Sequence, residues 1–171
     1  MTGDSIVTLL AENVQPRRGR TGWHGGPTPV GALRGVTHET ARWVPASGRK
    51  SIWELALHIA YWKYAVRRRL EGTTDRGRFP RSPANFPAVA GEASAREWAE
   101  DVALLRSEHQ RLVEAVSAIP SRRYGIVLPG RRRWTIGELI VGIAQHDAYH
   151  TGQIQLMKRL WQANRGRRRA R

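Results

Sequence analysis

Three hydroxyl residues, each followed three positions later by a glutamate, constrain the fold of this chain more than any other feature. Ser51-Ile52-Trp53-Glu54, Ser94-Ala95-Arg96-Glu97 and Thr135-Ile136-Gly137-Glu138 have the form of capping boxes. In such a box the hydroxyl accepts from the third helical N–H and the glutamate reaches back to the cap. Each box predicts a helix start. The helix opening at Ser51 is expected to end near Glu71, before Gly72, and the one opening at Ser94 near Ala118, before Pro120. The last runs from Thr135 to about Ala163. An earlier helix is predicted where Thr28 supplies a cap and Pro29 the first helical position; it passes through Leu33, Val36, Thr40 and Trp43 and stops before Pro45. Long helices with no competing strand pattern predict an all-α four-helix bundle.

The connections are read from their breakers. Val14 to Pro29 is rich in Gly, Pro and Arg and is expected to be irregular, following a short helix from about Ser5 to Asn13. Residues 1–26 therefore read as an N-terminal arm. Gly72 to Ala93, with Pro80, Pro83 and Pro87, is long enough to cross the outside of a bundle, as a crossover or a lid. Pro120 to Trp134 holds Tyr124, Ile126, Val127 and Leu128, which could pair as a short extended segment. Residues 164–171 form a basic, low-complexity tail that is expected to be disordered. With 171 residues, 40% of them hydrophobic and seven of them Trp, the chain can bury a sizeable core as one domain, set at residues 27–163.

The absence of cysteine excludes disulfides, thiolate metal sites and a cysteine nucleophile, so any metal must be held by nitrogen and oxygen. The apolar run Ile6 to Ala11 lacks a basic flank and a cleavage-like site, and no stretch approaches the roughly 20 apolar residues that cross a bilayer. These readings predict a cytoplasmic protein with no membrane partner. The net charge of +15 is carried by arginine, clustered at Arg17, Arg18 and Arg20, at Arg67 to Arg69, at Arg131 to Arg133 and from Arg165 to Arg171. Such charge raises nucleic acid as a partner. The clusters fall at element ends, loops and tails, and no zinc-finger, RNA-recognition or basic-zipper pattern accompanies them, so a solvated basic surface is the favoured reading.

The histidines point to a different chemistry. On a helical wheel Ile136, Leu139, Ile143, Ile154, Met157 and Trp161 fall within an arc of roughly 60°. His146 and His150 project from the edge and middle of that arc, one turn apart. A lone histidine on an apolar face is ordinarily a hydrogen-bonded core residue. Two at i and i+4 can aim their ring nitrogens at one ion, and a shared cation satisfies both. The helix opening at Ser51 carries its stripe on Ile52, Leu55, Ile59, Trp62, Val66 and Leu70, with His58 on its flank. If that helix packs beside the last one, His58 can supply a third nitrogen. Three imidazoles suit Zn, Ni or Fe(II) better than Mg or Ca, which prefer oxygen.

Other residues remain open to two readings. Asp147 could orient a ligand imidazole or form a plain salt bridge, and Gln153, one turn beyond His150, could hold substrate or a ligand's N–H. His24, between Trp23 and Gly25-Gly26, lies on a segment that could fold over a pocket. His109 reads as a surface or boundary residue, His38 as solvated, Tyr149 as packed or exposed, and Glu54 as a cap.

The run Ser51-Ile52-Trp53-Glu54-Leu55-Ala56-Leu57-His58-Ile59-Ala60 with Trp62, and the run His146-Asp147-Ala148-Tyr149-His150-Thr151-Gly152-Gln153-Ile154, together resemble the DinB/YfiT-like superfamily of metal-binding four-helix proteins. The resemblance covers about residues 27–162. It implies an up-down-down-up bundle with a long crossover between its second and third helices, and three histidine ligands that map onto His58, His146 and His150. It also implies homodimers. Characterised members are metal-dependent thiol transferases or isomerases that use low-molecular-weight thiols such as bacillithiol or mycothiol, and others are described as hydrolases. Three functions are carried forward: a divalent-metal-dependent enzyme, S-transferase or hydrolase, acting on a small molecule; a non-enzymatic nucleic-acid-binding protein; and a bundle that a metal merely holds together.

Overall fold

The computed structural model describes residues 3–17, 25–46, 48–73, 77–130 and 133–169. Its α-helices are α1 (Gly3–Val14), α2 (Pro29–Ala32), α3 (His38–Arg42), α4 (Ile52–Leu70), α5 (Ala95–Ser117) and α6 (Ile136–Arg169), with a 3-10 turn at Ser121–Arg123. Among the described residues there is no strand, and the protein is all-α. Only an isolated antiparallel bridge joins Val127 to Thr135, so the expected extended pairing between α5 and α6 shrinks to one residue pair. No described helix is long and apolar enough to cross a membrane.

The three capping boxes are present as read. Ser51 accepts from Glu54 N and Ser94 from Glu97 N, each glutamate returning to its cap. Thr135 and Glu138 exchange the same pair of bonds at 3.2 and 2.7 Å. The helix predicted between Pro29 and Trp43 is instead two short ones. Gly35 takes φ +74° after the first turn, a conformation that ends a helix, and Thr37 then caps α3 by accepting from Thr40 N. The last helix overruns its expected end, continuing through the arginine-rich segment to Arg169. Arginine is a good helix former, and Gly166 alone does not stop it.

Helix α1 repeats apolar residues at Val7, Leu10, Ala11 and Val14, the spacing of one helical face, and packs them in a core shared with α5 and α6.

The apolar interior comes in two clusters. One joins α2 and α3 to the first half of α4, the first half of α5 and the second half of α6, around Trp53, Ile59, Leu105 and Ile154. The other joins α1 to the remaining halves, around Val66, Leu112, Ile136, Ile140 and Ile143. Between them every long helix of the central trio contributes buried polar side chains: His58, Lys63 and Arg67 from α4, Glu108 and His109 from α5, and Asp147, His150 and Thr151 from α6. His109, read as a surface or boundary residue, is 7% exposed and bonds Gln15 through Nε2 at 2.6 Å. The polar neighbours Gln110 and Arg111 that suggested exposure lie on the outer side of α5 and are exposed. Arg67, likewise, is no solvated charge: it is buried against Glu108 and Glu71.

Candidate metal centre

The polar layer opens at one point into three facing imidazoles. His58 comes from α4, His146 and His150 from consecutive turns of α6, and one ring nitrogen of each lies within 4.8 Å of the others. Nε2 of His58 and Nε2 of His146 are 3.1 Å apart. His58 and His150 are buried, while the side chain of His146 keeps 23% of its surface, so the cluster is reached from the His146 side.

Each buried imidazole is held by its far nitrogen. The backbone carbonyl of Asn85 lies 2.6 Å from Nδ1 of His58. A carbonyl can only accept, so Nδ1 donates and Nε2 is left with its lone pair. His150 repeats the device, with Nδ1 2.7 Å from Oε1 of Gln153. Fixing the outer N–H in this way orients a ring and selects the tautomer that can bind an ion. Phe86 stacks on His58 at 3.9 Å between centroids and 7° between planes, closing one side of the ring. Burial pushes His58 down to about 4, the Asn85 carbonyl opposing it and the neighbouring His150 and His146 adding to it. Burial also lowers His150, against the bond to Gln153. These two imidazoles are neutral at pH 7, as ligands must be.

The donor set fits a borderline transition metal. It offers three imidazole nitrogens and no thiolate, and three protein ligands leave room for one more. Two orphaned atoms agree with this. Nδ1 of His146 and Oδ1 of Asp147 are buried without hydrogen-bond partners and lie 4.0 Å apart. While Nε2 of His146 shares a proton with His58, its Nδ1 has none to offer that carboxylate. If Nε2 instead gave its lone pair to an ion, Nδ1 would carry the proton and face the carboxylate across 4.0 Å, a favourable charge arrangement beyond hydrogen-bond reach.

Of the other residues singled out from sequence, Gln153 is at the cluster, holding His150. Asp147 is buried and pairs with the fully buried Lys63 across α4 and α6, which makes it an interhelical salt bridge. His24 lies outside the described residues. Tyr149 is 65% exposed, and Glu54 serves as the cap. Asn85, Phe86 and Lys63 went unread. Asn85 sits between Pro83 and Pro87 and takes φ +74°. Its residue type was the available signal, because asparagine tolerates that region in turns. Lys63 was visible too: it stands at i+4 from Ile59 and i+7 from Ala56, in the middle of an apolar stripe.

An all-helical chain with three convergent histidines on two of its helices defines a class of helical proteins able to hold a divalent ion. The family model of the DinB superfamily matches residues 30–154, a span that contains all three histidines and Gln153. The chain belongs to the DinB superfamily. Compared with curated proteins and with solved structures, it matches none.

Proposed function

We propose that this protein is a divalent-metal-dependent enzyme in which His58, His146 and His150 hold the ion, with Zn, Ni or Fe(II) as the metal. One observation carries the reading: Asn85 and Gln153 each occupy an outer Nδ1, so that Nε2 lone pairs face a common point. When bound, such an ion supplies a Lewis acid that acidifies a thiol or a water molecule and polarises an electrophile. The protein's own part is to orient. Asn85 and Gln153 fix the rings, Phe86 excludes water from the His58 face, and the exposed edge of His146 leaves the approach for substrate. Transfer of a low-molecular-weight thiol stands ahead of hydrolysis on the strength of the resemblance, with the substrate a small molecule. The up-down-down-up course of the four main helices, a paired assembly of two copies and a cytoplasmic address belong to the same reading.

Metal content after purification under metal-replete conditions tests it. One first-row ion per chain is expected, falling to a small fraction in His58→Ala, His146→Ala and His150→Ala. Wild-type protein that retains no ion under those conditions would sink the proposal. Screening the loaded protein against several thiols and electrophiles then separates transfer from hydrolysis.

A further inference from the structure

Beside His146 a cleft of about 700 Å³ opens between α4 and the first turns of α6. This volume is ordinary for a small-molecule site. Trp62 and Trp134 form its walls, each more than a third exposed, and Ile143 contributes to its apolar lining. Trp62 is not free to swing, because its Nε1 donates to Oδ1 of Asn85 at 2.8 Å. The same Asn85 that orients His58 therefore also fixes the aromatic wall.

The charge of the cleft runs against the charge of the chain. The net charge is +15, yet among the described residues lining the cleft there is no lysine or arginine. Among the described lining residues the one carboxylate is that of Glu138, already engaged by the N–H and hydroxyl of Thr135 at 2.7 and 2.8 Å. Apart from an ion held at His146, a phosphate, sulfonate or carboxylate entering here would find no cationic side chain among the described lining residues and one like charge. A neutral ring would find two indoles and an apolar lining.

We infer that the cleft is the substrate subsite of the histidine centre and that it selects an uncharged, ring-bearing molecule, held between Trp62 and Trp134 with its polar end at His146. This rests on the enzyme reading above and adds the substrate class to it.

Gly142 provides the test. A Cβ built there meets no atom within 4 Å, so Gly142→Leu projects into the open cleft while improving the helix at that position. The probes are N-phenyl-1-naphthylamine, which is neutral, and 1-anilinonaphthalene-8-sulfonate, which differs from it chiefly by an anionic group. Binding is followed by probe fluorescence, beside metal content and oligomeric state. The neutral probe is expected to bind one per chain and at least tenfold more tightly than the sulfonate. Gly142→Leu should weaken it at least tenfold with metal content unchanged. Trp134→Ala, which removes an exposed wall, serves as the second variant and should weaken it as well.

Equal or tighter binding of the sulfonate would overturn the inference, as would a neutral-probe affinity that neither variant alters. A wild-type chain that binds no probe and self-associates through this face, with Gly142→Leu dissociating it, would assign the cleft to a second copy and overturn it too. The two readings fail separately. Probe binding without metal sinks the enzyme proposal, and metal without cleft-dependent probe binding sinks this one.

Discussion

Replacing Lys63 by methionine is expected to be among the most destabilising single changes available outside the apolar core. The ammonium of Lys63 is fully buried and pairs with one oxygen of Asp147, itself buried. The other oxygen of Asp147 has no hydrogen-bond partner among the described residues. Lys63→Met would leave the carboxylate wholly uncompensated, and breaking a buried pair from one side costs about 3–5 kcal/mol. In a domain of this size each kcal/mol moves Tm by about 2–4 °C, so Tm should fall by about 6–20 °C. The double variant Lys63→Met, Asp147→Leu removes both charges. Apolar replacement of a whole buried pair is commonly neutral or stabilising, so the double variant should recover wild-type stability or exceed it. Thermal and denaturant unfolding, run with a chelator so that metal linkage does not contribute, would read this directly. A single variant that loses less than about 1 kcal/mol would refute the reasoning, and so would a double variant no more stable than the single.

Gln153→Ala should weaken metal binding by about 10- to 100-fold, the usual effect of losing the group that orients a ligand imidazole. Gln153→Glu, which can still accept from Nδ1 of His150, should retain most of the affinity in the same competition titration. His109 offers a pH test. Burial holds its proton affinity down at about 4 in the fold, and Lys63 nearby adds to that, whereas the unfolded chain binds a proton near 6.5. Between those values the unfolded state carries the extra proton, so stability falls as pH drops from about 6.5 toward 4. His109→Gln removes that contribution, and the loss of stability between pH 7 and pH 5 should shrink by about 2 kcal/mol in urea melts. A slope that does not change would assign the acid sensitivity elsewhere. Ser51→Ala removes the hydroxyl of the α4 capping box and should cost about 0.5–2 kcal/mol of unfolding free energy, with Ser51→Thr largely restoring it.

What could be read before the structure was local in the chain. A capping box needs only residues three apart, and all three boxes start helices where they were expected. His146 and His150 were legible for the same reason, since one helix carries both and a single turn sets their separation. The break at Gly35 was missed because apolar periodicity continues across it from Leu33 to Trp43, and only the backbone shows that Gly35 and Thr37 divide one helix into two. His109 was misjudged because Gln110 and Arg111 beside it face the other way on the same helix.

The sequence by itself determined where the long helices begin, that any metal must be held without sulfur, and that α6 presents two imidazoles on one face. The tertiary structure decided what those imidazoles meet. His58 reaches them only because α4 packs along α6 in one register, which sets buried Lys63 against Asp147 in the layer between the two apolar clusters. Asn85 reaches His58 from 27 positions away through the long loop between α4 and α5, at a left-handed residue whose carbonyl and side chain serve different partners. Capping and i, i+4 spacing are properties of a few consecutive residues. The register between helices and the path of a long loop depend on packing the whole interior at once, which leaves no short signature in the chain.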